Sequence, residues 1–84
     1  MSSQESSLFR VRVLADADPG ALARVLERFQ NINVLPRRVI AECGINDTVF
    51  IEVDVFGLTE AQVSLIAMKI RQAPCITNAH WHRV

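Results

Sequence analysis

Leu8-Phe-Arg-Val-Arg-Val-Leu14 leads through Ala15-Asp-Ala-Asp-Pro-Gly20 into Ala21-Leu-Ala-Arg-Val-Leu-Glu-Arg-Phe-Gln30, and the hydrophobic period changes along the way. In the first segment Phe9, Val11 and Val13 share one face while Arg10 and Arg12 share the other, the period of two of a half-buried strand. In the last segment Leu22, Val25, Leu26 and Phe29 recur at helical spacing. Between them Asp18 is a natural N-cap and Pro19 is preset for a first turn, which predicts a helix from Pro19 to about Gln30. Gly20 has no Cβ and lets another group approach the backbone. The unpaired N–H groups of that first turn would face a carboxylate or another acceptor. The stretch therefore predicts a strand, a candidate ligand-binding turn and a helix.

The rest of the chain extends the pattern. Val34 to Cys43 reads as a second strand, with Pro36 implying an edge or a bulge near its start. Gly44-Ile-Asn-Asp47 is a hairpin loop, and in Thr48 to Val55 the residues Val49, Ile51, Val53 and Val55 point inward while Phe50, Glu52 and Asp54 point outward. Thr59-Glu-Ala-Gln62 forms a capping box that opens a second helix, whose core stripe is Val63, Ile66, Ala67 and Ile70. Pro74 stops it, and Ile76 to Val84 supplies a last strand. The βαββαβ order predicts an α+β, ferredoxin-like sandwich: a four-stranded antiparallel sheet of order 4-1-3-2 with both helices on one face. Right-handed crossovers add the expectation that strands one and three lie side by side and parallel. Residues 1–7 are expected to be a disordered tail, and 8–84 the domain.

Composition narrows the function. Nine basic and nine acidic side chains among 84 residues give no net charge, which argues against nucleic acid and anionic membranes as partners. No apolar run approaches the roughly 20 residues that span a bilayer, and a cytoplasmic protein is expected. A chain this short gains from dimerisation. Cys43 and Cys75 lack metal or redox spacing and read as small buried hydrophobes. With Ala79 and Trp81 inward, His80 and His82 point outward beside Arg10 and Arg12, which would repel a cation, so the pair reads as solvated.

The order of elements, Asp18-Pro-Gly-Ala-Leu22 after strand one and Ala73-Pro-Cys-Ile76 before strand four together resemble an ACT domain, from Leu8 to about Trp81. Within that family Asp18-Pro-Gly-Ala-Leu-Ala-Arg-Val25 is most similar to the turn of acetolactate synthase regulatory (small) subunits. The resemblance implies a regulatory module that binds an amino acid, needs no cofactor, and acts as a homodimer or on a catalytic enzyme subunit. It implies edge-to-edge pairing through strand two, with the ligand held between the turn of one chain and strand two of the other. Carried over, Asp18, Pro19, Gly20, Ala21 and Leu22 form the ligand-binding turn, and Val34, Leu35, Arg37 and Val39 the partner surface. Ala17 stands where the family often carries Asp or Asn, so the ligand differs or the copy is a non-sensing assembly module.

Other readings fare worse. Catalysis lacks a nucleophile–base constellation, and an acylphosphatase-like loop would not carry acids. An RNA-binding sheet wants aromatics on its central strands, and Phe50 is alone among acids. Arg37-Arg38 reads as a solvated strand pair, Trp81 as core, and Leu65 with Met68 as a half-buried helix flank or a contact for an enzyme partner.

Overall fold

The computed structural model describes residues 7–84; most of the expected 1–7 tail lies outside them. Six elements follow one another: β1 (Leu8–Asp16), α1 (Ala21–Gln30), β2 (Arg38–Cys43), β3 (Thr48–Phe56), α2 (Glu60–Arg71) and β4 (Ile76–Arg83). The sheet order is β2-β3-β1-β4, and each neighbouring pair is antiparallel, which is the predicted ferredoxin-like arrangement. The expected parallel pairing of strands one and three is overturned: Leu8 lies opposite Phe56 and Asp16 opposite Thr48. The crossover through α1 leaves β2 parallel to β1 with a gap between them. The hairpin then reverses the chain, so β3 fills that gap running against both.

Alternation decides what is buried. Phe9, Val11, Val13 and Ala15 of β1 and Ile51, Val53 and Val55 of β3 are fully enclosed by α1 and α2. Val25 and Phe29 of α1, and Val63 and Ile70 of α2, close the core from the helix side. Trp81 of β4 meets Phe9 edge-on at 5.5 Å between ring centroids. The capping box forms as predicted, with Gln62 N–H donating to Thr59 Oγ1 and Thr59 N–H donating to Gln62 Oε1.

Strand two starts later than the sequence suggests, at Arg38. Pro36 has no N–H for a ladder, and Arg37 N–H donates to Asp54 O at 2.7 Å although Arg38 is the register partner of Asp54. Two residues thus face one, the bulge that Pro36 implied. Cys75 is buried as expected, but Cys43 is exposed, because it ends an edge strand that neither helix covers. Leu65 and Met68 are exposed on α2.

The face opposite the helices is where charge gathers. Arg10 grips Asp54 with two hydrogen bonds, Nε to Oδ1 at 2.7 Å and Nη2 to Oδ2 at 2.9 Å. Arg38 Nη1 donates to Glu52 Oε2 at 2.9 Å, and Arg12 Nε lies 3.2 Å from Glu52 Oε1 as an ion pair without hydrogen-bond alignment. Glu52 and Asp54 point outward as predicted, yet both are buried, because three arginine stems lie over them. The Arg10 hydrogen bonds hold the Asp54 carboxyl below the usual carboxylate range, against the opposing effect of burial. A folded-state pKa below the unfolded one contributes stability above the unfolded value, and that contribution disappears as pH falls through the folded value. Asp54→Asn should therefore cost about 1–3 kcal/mol in urea denaturation at pH 7. The difference from wild type should shrink as pH drops below about 4. An equal loss at low pH would contradict the charge-based account.

Candidate functional site

The turn between β1 and α1 is built by Asp18. Its Oδ1 accepts from Gly20 N–H at 2.7 Å and its carbonyl accepts from Ala21 N–H at 2.9 Å. The N-cap is Gly20 rather than Asp18, and the helix opens at Ala21, two residues later than predicted. Asp18 still satisfies a donor at the helix entrance, now through an Asx turn. The N–H groups of Leu22 and Ala23 have no main-chain acceptor ahead of the helix among the described residues. Gly20 sits at φ −84°, a conformation open to any residue. A Cβ there would lie 3.3 Å from Asp18 Oδ1. The backbone angle therefore does not demand glycine, but a Cβ would crowd the Asp18 carboxylate, which must shift by a few tenths of an ångström to admit it.

The hairpin fixes the turn from the other side. Asn46 and Asp47 both take positive φ, and Ala17 N–H donates to Asp47 O at 2.8 Å. Asp16 N–H donates to the Cys75 carbonyl at 2.8 Å. Three carboxylates, Asp16, Asp18 and Asp47, are thus carried on one end of the domain, all on exposed residues.

The second set of predicted residues is elsewhere. Val34 is half-buried, Leu35 is 90% exposed and Val39 is 39% exposed. Arg37 stacks over the Phe56 ring at 5.0 Å and so is not a plain solvated charge. Val34, Leu35 and Val39, with Leu26, Gln30, Asn33 and Pro36, line an open groove of about 480 Å³ between α1 and the sheet edge. Leu26, Gln30 and Asn33 were not anticipated there. Leu26 belongs to the apolar stripe of α1 and packs partly against the core, and the positive φ that turns the chain at Asn33 is not visible in a hydrophobic pattern.

Within one chain the two sets do not meet. Asp16 is level with Thr48 on β3, whereas Arg38 is level with Asp54. Six residues of strand separate those levels, roughly 20 Å. Among the described residues no cluster of metal-ligating side chains occurs, and His80 and His82 lie across from Arg12 and Arg10 on β1.

A sequence profile of the ACT-like domain matches residues 2–84. The chain belongs to the ACT-like domain family. Solved structures similar to this ACT-like domain include the C-terminal domain of the MgtC protein from Mycobacterium tuberculosis, with a TM-score of 0.77 at 16% identity over 100% of this chain and 93% of that one. The ACT domain of GTP pyrophosphokinase from Chlorobium tepidum gives 0.75 at 9% identity over 89% and 96%. A homoserine dehydrogenase from Thiobacillus denitrificans gives 0.75 at 17% identity, covering 92% of this chain but 17% of that one. At these identities the likeness is one of fold. No curated protein matches the chain. Among the described residues of this ACT-like domain, no helix is long and apolar enough to cross a membrane.

The turn's architecture makes its own prediction. Asp18→Ala removes the acceptor for Gly20 N–H and should cost about 1 kcal/mol by chemical denaturation. Gly20→Ala should stay within about 1 kcal/mol of wild type. A large loss from Gly20→Ala would mean that the glycine serves the fold rather than an incoming group.

Proposed function

We propose that this ACT-like domain, folded over residues 8–84, is a cytoplasmic regulatory module that binds an amino acid between two copies of the chain. The observation that carries this reading is the separation of the two half-sites. The Asp18–Leu22 turn and the Val34–Val39 groove lie at opposite ends of one chain. Antiparallel pairing of β2 with a second β2 brings the groove of one copy to the turn of the other.

The edges of the sheet favour β2 for that pairing. On β4 the Ala79 carbonyl is occupied by Arg71 Nη1 at 2.7 Å, so that edge is guarded by α2. On β2 the neighbouring apolar groups Val39 and Leu35 are left open.

In the joined site the free N–H groups at the start of α1 receive the α-carboxylate. Asp16, Asp18 and Asp47 attract the ammonium group and disfavour a second carboxylate. Leu35 and Val39 of the facing copy contact an aliphatic side chain. Ligand would shift the equilibrium between dimer geometries by its differential affinity, and an attached enzyme would respond to that shift. The most concrete version of this reading is the regulatory subunit of an amino-acid biosynthetic enzyme such as acetolactate synthase, with branched-chain effectors.

A second reading is a non-sensing assembly module. It is favoured by Ala17, where a ligand-contacting Asp or Asn is often found, and by the engagement of Asp18 Oδ1 within the turn. Thermal denaturation against a panel of amino acids separates the two readings. A millimolar ligand with a micromolar Kd adds roughly 4 kcal/mol, a shift of several degrees. Neutral aliphatic amino acids should stabilise the protein more than aspartate or glutamate, and Gly20→Ala should remove the response. A dimer indifferent to the whole panel would establish the assembly reading.

A further inference from the structure

The open edge of β2 carries enough information to fix how two copies would pair. Gly44 N–H donates to Thr48 O at 2.8 Å, and that pair continues the β2–β3 register in which Glu42 faces Phe50 and Ile40 faces Glu52. Hydrogen-bonded pairs alternate along an antiparallel ladder, so Glu42, Ile40 and Arg38 direct their main-chain groups to β3. The main-chain groups of Val39, Ala41 and Cys43 consequently point outward, to the free edge. Only these odd-numbered residues can exchange hydrogen bonds with a second β2, and they must do so with odd-numbered residues of that copy. A two-fold axis between the strands therefore passes beside a residue, and Val39, Ile40 and Ala41 are the central choices.

Side chains discriminate among the three. An axis at Ala41 sets Arg38 against Gly44 and Glu42 against Ile40 of the second copy. An axis at Val39 sets Arg38 against Ile40 and Glu42 against Pro36. An axis at Ile40 sets Arg38 against Glu42 of the second copy, twice over, with Ile40 against its own copy and Val39 against Ala41. Within one chain Glu42 has no ionic partner among the described residues, and Arg38 keeps nearly half its side chain exposed. The Ile40 axis also carries Leu35, 90% exposed, to the same end as Ile45 of the second copy, 83% exposed. These are the two most exposed large apolar residues described, and no other contact within the chain covers them.

We propose that two copies of this chain associate through β2 in the register that places Ile40 on the two-fold axis, with reciprocal Arg38–Glu42 ion pairs and Leu35 brought to Ile45 at each end. The inference rests on the edge-pairing reading above and specifies its register. Ile40 would occupy a non-hydrogen-bonded pair, where facing side chains approach most closely. Cys43 would face Arg37 of the second copy, so the native cysteines should not cross-link the dimer.

The test combines mass with cross-linking on full-length protein. Sedimentation measures association of the wild type. Ile40→Cys, Ala41→Cys and Val39→Cys, each with Cys43→Ser, are then oxidised mildly. The proposed register gives rapid covalent dimers from Ile40→Cys and little from the other two. Glu42→Arg, a change at an exposed side chain, should weaken association at least about tenfold through like-charge opposition to Arg38. A wild-type dimer that cross-links through Ala41→Cys or Val39→Cys but not Ile40→Cys would overturn the register and leave edge pairing intact. A dimer unaffected by Glu42→Arg would overturn the ion pairs. A chain that stays monomeric at every concentration would overturn both the register and the reading beneath it.

Discussion

Nine consecutive residues of β1 lie opposite nine of β3, from Leu8–Phe56 to Asp16–Thr48, and the other elements take their positions from that pairing. One face of the pair is wholly apolar and needs both helices to cover it. The other face holds Arg10 and Arg12 against Glu52 and Asp54. A slip of β1 by one residue would turn its faces over, burying Arg10 and Arg12 and exposing Phe9, Val11, Val13 and Ala15, so the register has no near competitor. The same pairing sets the level of the Asp18 turn, because the turn begins where β1 ends beside Thr48.

From this follows the polarity of the molecule. β2 runs parallel to β1, so its start lies at the end of the sheet remote from the turn. The Asp18 turn and the apolar groove are thereby held apart by the topology itself. Any site that uses both must be assembled from two chains, which couples occupancy to quaternary geometry. In the proposed function that coupling is the physical content of regulation: a ligand that bridges two copies would favour the arrangement in which the half-sites meet.

Much of this was legible in the sequence because it follows from period and parity. The alternation of Leu8–Leu14 and Thr48–Val55 identified the central strands and their inward faces, and Thr59-Glu-Ala-Gln62 located a helix start to the residue. What was not legible depended on three-dimensional neighbours. Val34 and Leu35 look like strand residues, but Pro36 and the doubled contact of Arg37 and Arg38 with Asp54 delay the ladder. Cys43 is apolar enough for a core, yet it lies on an edge strand without a helix above it. Glu52 and Asp54 were assigned to the correct face, and only the stems of Arg10, Arg12 and Arg38 make them buried. The turn was placed correctly and its cap was not, because an Asx turn and an N-cap present the same Asp-Pro-Gly signature.

The central claim is that the β2 edge is occupied by a second copy and that this joins the half-sites. Amide hydrogen exchange of Val39, Ala41 and Cys43, followed as protein concentration rises, reads that edge directly. Their N–H groups face outward in one chain, so they exchange quickly when dilute and should become protected as copies associate, while Trp81 and Arg83, whose N–H groups face outward on the β4 edge, keep their rates. Exchange at these three positions that stays fast at every concentration would contradict the account.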